Sequence, residues 1–262
     1  MSKPARLARS LVLPALLLAT PTVTRPQEPT PTRVLVRAVS NDAKVLGSGV
    51  GGAHIVIRDL ASGQVLAEGV QEGSTGDTGR IMGTRTRGEP VFAVEGTAAF
   101  EATLALDGPT RVEIVAEGPL GTAHAVQRAS TTVLLLPGRD LLGEGVVLVL
   151  YGFTVQLEAP SADEVFEAGS TLPVRARVTM LCGCPTEPGG LWDSDRMELR
   201  AELLKDGAPA SATDLAFAGE TSTYTGALPL PTEPGVYTVR VTAVEPDRAN
   251  AGIAEATVRV GG

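Results

Sequence analysis

Apolar and polar residues alternate with a period of two in many short runs along this chain, and turn-forming residues separate the runs. In Ala53-His54-Ile55-Val56-Ile57-Arg58-Asp59, Ile55 and Ile57 fall opposite His54, Val56 and Arg58, as in a strand with one buried face. The same reading predicts strands over 33–39, 64–68, 100–106, 110–116, 131–136 and 146–150. Asp59 to Gly63 turns 53–59 into 64–68 as a hairpin, and Asp107-Gly108-Pro109 separates the next pair. Further along, seven more strands are predicted over 153–158, 172–180, 197–204, 214–218, 221–228, 235–244 and 252–260. Val174, Ala176, Val178 and Met180 alternate there with Arg175, Arg177 and Thr179. No stretch carries a helical period with caps. Short strands at regular spacing predict an all-β chain of two tandem β-sandwich domains, 28–151 and 152–262, after an N-terminal segment 1–27.

Two connections stand out. Gly69 to Pro90 is long, polar and glycine-rich, and reads as a mobile surface loop. Tyr151-Gly152-Phe153 joins the domains without a proline- or serine-rich spacer, which predicts a fairly stiff rod with a single glycine hinge.

Glu233-Pro234-Gly235-Val236-Tyr237-Thr238-Val239-Arg240-Val241 resembles the penultimate strand of bacterial immunoglobulin-like and fibronectin type III-like modules. Tyr237 falls where their corner tyrosine stands. The first domain is similar, more loosely, to carboxypeptidase regulatory-like modules of transthyretin type, through 52–59 followed by Ser62-Gly63. Thr75-Gly76-Asp77-Thr78-Gly79 departs from that pattern. Both resemblances imply adhesion, spacing or scaffolding more often than catalysis, by analogy of fold.

Composition narrows the function. Of 262 residues only 3% are aromatic, too few for the ring platforms of glycan or single-stranded nucleic-acid sites. Residues 1–27 hold Lys3, Arg6, Arg9 and Arg25 and no acid, so the remainder carries 18 basic against 30 acidic side chains. Phosphate backbones and anionic lipid would repel such a body. The basic start and the nine-residue run Leu11 to Ala19 read as a signal peptide and spacer. The run is too short to span a bilayer, and so is Val146 to Phe153, leaving no membrane span in the mature chain. An extracytoplasmic protein, periplasmic or secreted, is expected, with a protein or cell-envelope component as partner.

Little catalytic chemistry is legible. Gly47-Ser48-Gly49-Val50-Gly51-Gly52 formally fits a dinucleotide fingerprint, but a strand follows it where that motif needs a helix. Asp77-Thr78-Gly79 matches the short aspartic-peptidase signature, yet its flanks are polar and it has no second copy for a carboxylate dyad. His54 and His124 are the only histidines, and neither falls in a nucleophile–base–acid grouping. The chain reads as non-enzymatic, with aspartic peptidase-like chemistry and thiol–disulfide exchange as the exceptions.

The sharpest chemical feature is Met180-Leu181-Cys182-Gly183-Cys184-Pro185, which holds both cysteines of the chain. Three readings stand. Export would favour a Cys182–Cys184 disulfide. Two thiolates with Met180 and Met197 are ligands that Cu(I) prefers. Closely spaced thiols also exchange disulfides. The loop continues through Trp192, Asp193 and Asp195. In a sandwich, the 245–250 loop should lie at the same end, so that Asp193, Asp195 and Asp247 either converge on Ca²⁺ or form a solvated acidic rim. Trp192, the only tryptophan, reads as a cover for the loop or an anchor for a partner.

Overall fold

The computed structural model describes residues 28–261. The predicted signal peptide, 1–27, lies outside the described residues.

The first sandwich uses β1 (Thr30–Ser40), β2 (His54–Asp59), β3 (Val65–Val70), β4 (Phe100–Leu106), β5 (Thr110–Gly118), β6 (Gln127–Leu135) and β7 (Leu141–Leu150). They form a three-stranded sheet, β4-β1-β7, and a four-stranded sheet, β3-β2-β5-β6. The β1–β7 pair is parallel and the other pairs are antiparallel. The alternation seen in the sequence is the burial pattern. Ile55 and Ile57 are fully buried while Arg58 is exposed; Val112 and Ile114 of β5 extend the same layer, and Val34 and Val36 of β1 belong to the facing one. Such side chains contribute about 1.5–3 kcal/mol each when fully buried.

The second sandwich uses β8 (Phe153–Ala159), β9 (Val165–Glu167), β10 (Thr171–Met180), β11 (Glu198–Lys205), β12 (Ala208–Asp214), β13 (Ala216–Phe217), β14 (Thr223–Pro229), β15 (Gly235–Glu245) and β16 (Asn250–Gly261). Its sheets run β13-β14-β10-β8 and β12-β11-β15-β16-β9. Leu172, Val174, Ala176, Val178 and Met180 of β10 face Tyr237, Val239, Val241 and Ala243 of β15 across the core. All seven strands predicted here are present. β9 and β12 carry no alternation strong enough to betray them, because β9 is three residues long and β12 lies largely exposed at a sheet edge. The Tyr237 hydroxyl donates to the Glu233 carbonyl at 2.9 Å, closing the corner that its sequence position implied. This is an immunoglobulin/fibronectin III-like sandwich.

The 69–90 segment is not the loose loop expected. Glu72 bridges Ala99 and Ser74 bridges Thr97. A one-turn helix α1 (Thr78–Met82) follows, capped by Asp77, whose Oδ1 accepts the Arg80 N–H at 2.7 Å. Ile81 is 1% exposed and packs with Val39, Val45 and Ala98 into a small second core on the outer face of the β4-β1-β7 sheet. The Glu144 carboxylate pins the far limb by accepting the backbone N–H groups of Val91, Phe92 and Ala93. The apolar residues that order this flap are few and widely spaced, so no periodicity announces them.

Candidate functional site

Trp192, Gly152 and the Cys-Gly-Cys loop, all singled out by the sequence, lie at the junction between the sandwiches. Only Tyr151 and Gly152 separate β7 from β8. Gly152 has φ +144°, and a Cβ there would stand 2.9 Å from the Ala251 carbonyl oxygen. Its N–H donates to Asn250 Oδ1 at 3.0 Å. The expected glycine hinge is therefore clamped, because the backbone on both sides is already bonded: the Asn41 N–H donates to the Leu150 carbonyl at 2.8 Å.

Asn41 and Asp42, between β1 and β2, form the first domain's half of the clamp. The Asp42 carbonyl accepts the Trp192 indole N–H at 3.0 Å, and its carboxylate meets Arg248 Nε at 2.7 Å. Asn41 Nδ2 donates to the Arg248 carbonyl at 2.7 Å. Arg248 also donates through Nη1 to Glu245, which is 3% exposed. The hydrogen bond to Glu245, and then the nearby charge of Asp42, hold the Arg248 guanidinium above its ordinary pKa. Asn250, fully buried, ties Glu245 to Gly152. On the opposite side, His124 Nε2 lies 2.7 Å from the Val155 carbonyl. A carbonyl only accepts, so this nitrogen carries the hydrogen.

Apolar residues cross the boundary as well. Leu181, fully buried, belongs to the first domain's core, and Ala43 belongs to the second's. Gly183, at φ +77°, turns the Cys-Gly-Cys loop against Val50, whose Cγ1 would lie 2.9 Å from any added Cβ. Cys182 and Cys184 are 4% and 7% exposed, share the second core with Met180 and Trp192, and hold their sulfurs at disulfide distance. Met197 packs against the same core. In the bonded form these sulfurs are not thiolates, so a soft metal would need the reduced pair.

The acidic loop is otherwise employed. Asp193 Oδ1 accepts the N–H groups of Gly189 at 2.8 Å and Asp195 at 3.0 Å. Those bonds hold its carboxyl below the usual carboxylate range. Asp195 and Asp247 each sit in a single 3₁₀ turn, Ser194–Arg196 and Pro246–Arg248. Among the described residues no group of three or more His, Cys, Asp or Glu side chains is placed to hold a metal ion, so Asp193, Asp195 and Asp247 are not gathered into one. Trp192 is an anchor, and what it anchors to is the first domain of its own chain.

Of the remaining motifs, the first reaches the junction through Val50, which meets Gly183. The glycine-rich 47–52 run forms a 3₁₀ turn, Ser48–Val50, leading into β2. Asp77-Thr78-Gly79 is the start of α1, with Asp77 engaged as its cap. His54 is half-buried on β2, 4.0 Å from Glu68. Asn41, Asp42, Arg248 and Asn250 were not anticipated. A signal existed for three of them: Asn41-Asp42 is a turn dipeptide, with Asp42 at φ +50°, and Asn250 closes the 245–250 loop.

No family model matches the chain, and no curated protein matches it. Among solved structures, an engineered protein is 19% identical with a TM-score of 0.31, covering 47% of this chain and 24% of its own. The fibronectin(III)-like modules of Clostridium thermocellum CbhA are 16% identical with a TM-score of 0.28, over 88% of this chain and 93% of theirs. The titin domains z1z2, solved in complex with telethonin, are 17% identical with a TM-score of 0.25, over 91% and 99%. The tandem β-sandwich architecture, with an immunoglobulin/fibronectin III-like second domain, rests on strand order, register and the tyrosine corner. Among the described residues no helix is long and apolar enough to cross a membrane.

Proposed function

We propose that this chain is an exported, non-enzymatic scaffolding module that presents its two sandwiches to a protein or cell-envelope partner as one rigid body. The observation that carries this reading is the clamped junction. Trp192, Arg248 and Asn250 of the second domain close on Asp42, Asn41 and Gly152, and each core takes a residue from beyond the boundary. A chain that only tethers two independent binding modules has no use for such a clamp, because a flexible linker leaves relative motion as the default. Rigid presentation lowers the ordering cost when a partner engages both domains at once.

The test is domain tumbling together with location. Nuclear spin relaxation of the chain lacking 1–27 should give a common rotational correlation time for both domains, and fractionation of the source cells should place the protein outside the cytoplasm. Independent tumbling, or retention of the full-length product in the cytosol, overturns the reading. The Met180, Cys182, Cys184, Met197 cluster supports a second reading, a periplasmic copper-handling or thiol-redox protein. One equivalent of copper in untagged protein, with two free thiols, would select it.

A further inference from the structure

A cavity of about 600 Å³ lies between the outer face of the β4-β1-β7 sheet and the 71–99 flap. Val39, Val147 and Val149 make its floor, and Ile81, Met82 and Phe92 of the flap make its roof. Its polar groups are few and unevenly satisfied. Ser40, 1% exposed, lies in the wall, and its hydroxyl has no hydrogen-bond partner among the described residues. Arg85 stands at the rim with its guanidinium 6.0 Å from the Phe92 ring centroid, steadied by one bond from Nη2 to the Ile81 carbonyl at 2.6 Å. Asp42 also lines the cavity, but its charge is taken by Arg248 at 2.7 Å. The cationic end of the cavity is thus Arg85, in a chain with an excess of acid.

We propose that this cavity binds a small amphipathic carboxylate, its apolar body on the valine floor under the flap and its carboxylate on Arg85. Apolar walls with a few placed polar groups are the usual composition of small-ligand sites. The Arg85 fork matches a carboxylate, and stacking on Phe92 leaves its remaining N–H groups free to donate. The floor and roof are built from first-domain segments, with Met82 and the wall residue Ala43 also packed against the second domain's core; decanoate binding and domain tumbling are separate readouts, so failure of one is distinguishable from failure of the other.

Decanoate is the probe, titrated into the full chain lacking 1–27 by calorimetry and by Trp192 fluorescence. The indole bonds to the carbonyl of Asp42, a wall residue, and so reports on the cavity. Saturable binding at one site is expected, with 1-decanol weaker for want of a charge and acetate weaker for want of a body. Arg85→Gln, at an exposed side chain, should lower decanoate affinity by about tenfold and leave decanol unchanged. Val149→Asp should weaken both. No saturable decanoate binding, or equal affinity of Arg85→Gln and the parent, overturns the proposal. Melting curves of both variants confirm that they are folded.

Discussion

Replacing Asn250 with alanine tests whether the junction is held by its buried polar contacts. Asn250 is fully buried; its Oδ1 accepts the Gly152 N–H at 3.0 Å and its Nδ2 donates to Glu245 Oε2 at 3.3 Å. Alanine leaves the Gly152 N–H without an acceptor and removes one donor from a carboxylate that is 3% exposed. Arg248 still holds the other oxygen of Glu245, so that charge is not abandoned. One orphaned buried donor and one weakened buried carboxylate together cost about 3 kcal/mol. For a chain of this size that corresponds to a fall of about 6–12 °C in the melting temperature. Calorimetry of the parent should show one transition, and of Asn250→Ala either an earlier transition or two resolved ones as the domains uncouple. Asn250→Asp is the companion variant. It keeps an acceptor for Gly152 but sets a second carboxylate against Glu245, so its deficit should shrink on acidification, when one of the two takes a proton. A loss below about 0.5 kcal/mol for Asn250→Ala would refute the reasoning, since that is the range of an unremarkable surface change.

Three further outcomes are expected. Tyr237→Phe removes the hydroxyl bond to Glu233 without a cavity and should cost about 1 kcal/mol in urea denaturation; no measurable loss would mean that the corner is held by packing alone. Asp193 has a folded pKa depressed by the N–H groups of Asp195 and Gly189. Its contribution is therefore present above the ordinary aspartate value and is lost as pH falls through the depressed one. Trp192 fluorescence should show an acid transition below the usual carboxylate range, and Asp193→Asn, which keeps an acceptor but cannot titrate, should abolish it. Thiol titration in denaturant should find no free thiols in air-exposed protein and two after reduction; two thiols before reduction would rule out the Cys182–Cys184 bond.

The sandwiches were legible in the sequence because their signal is local. A strand with one buried face must alternate, and Leu172 to Met180 does so without a fault. The two short or exposed strands failed for the same reason in reverse, since β9 and β12 bury too little to be patterned. The 69–90 stretch was misread as a loose loop because its order comes from partners far away. Glu144, about fifty residues downstream, holds Val91 to Ala93, and Ile81 is buried against β1. Of the candidate site, the Cys-Gly-Cys loop and Trp192 were visible by their rarity. Their counterparts Asn41 and Asp42, and the roles of Arg248 and Asn250, were not, because a clamp made of common polar residues leaves no motif.

The contacts at the junction are not of equal weight, and the difference decides what kind of joint it is. The Arg248–Asp42 pair is about one-third exposed on each side, and a pair so open to water contributes at most about 1 kcal/mol, less in salt. If it were the main link, the domains would loosen at physiological ionic strength. Trp192 and Asn250 are buried, at 8% and 0% exposed, and salt does not reach them. Truncation of a buried tryptophan costs about 3–5 kcal/mol, several times what the ion pair supplies. The joint is therefore set by an indole lodged against Asp42 and an amide wedged under Gly152, with Arg248 fixing register more than strength. It follows that the interdomain angle should be indifferent to salt but sensitive to Trp192→Ala. A joint that opened in 1 M salt, at roughly a 3 Å screening length, would have to be electrostatic after all.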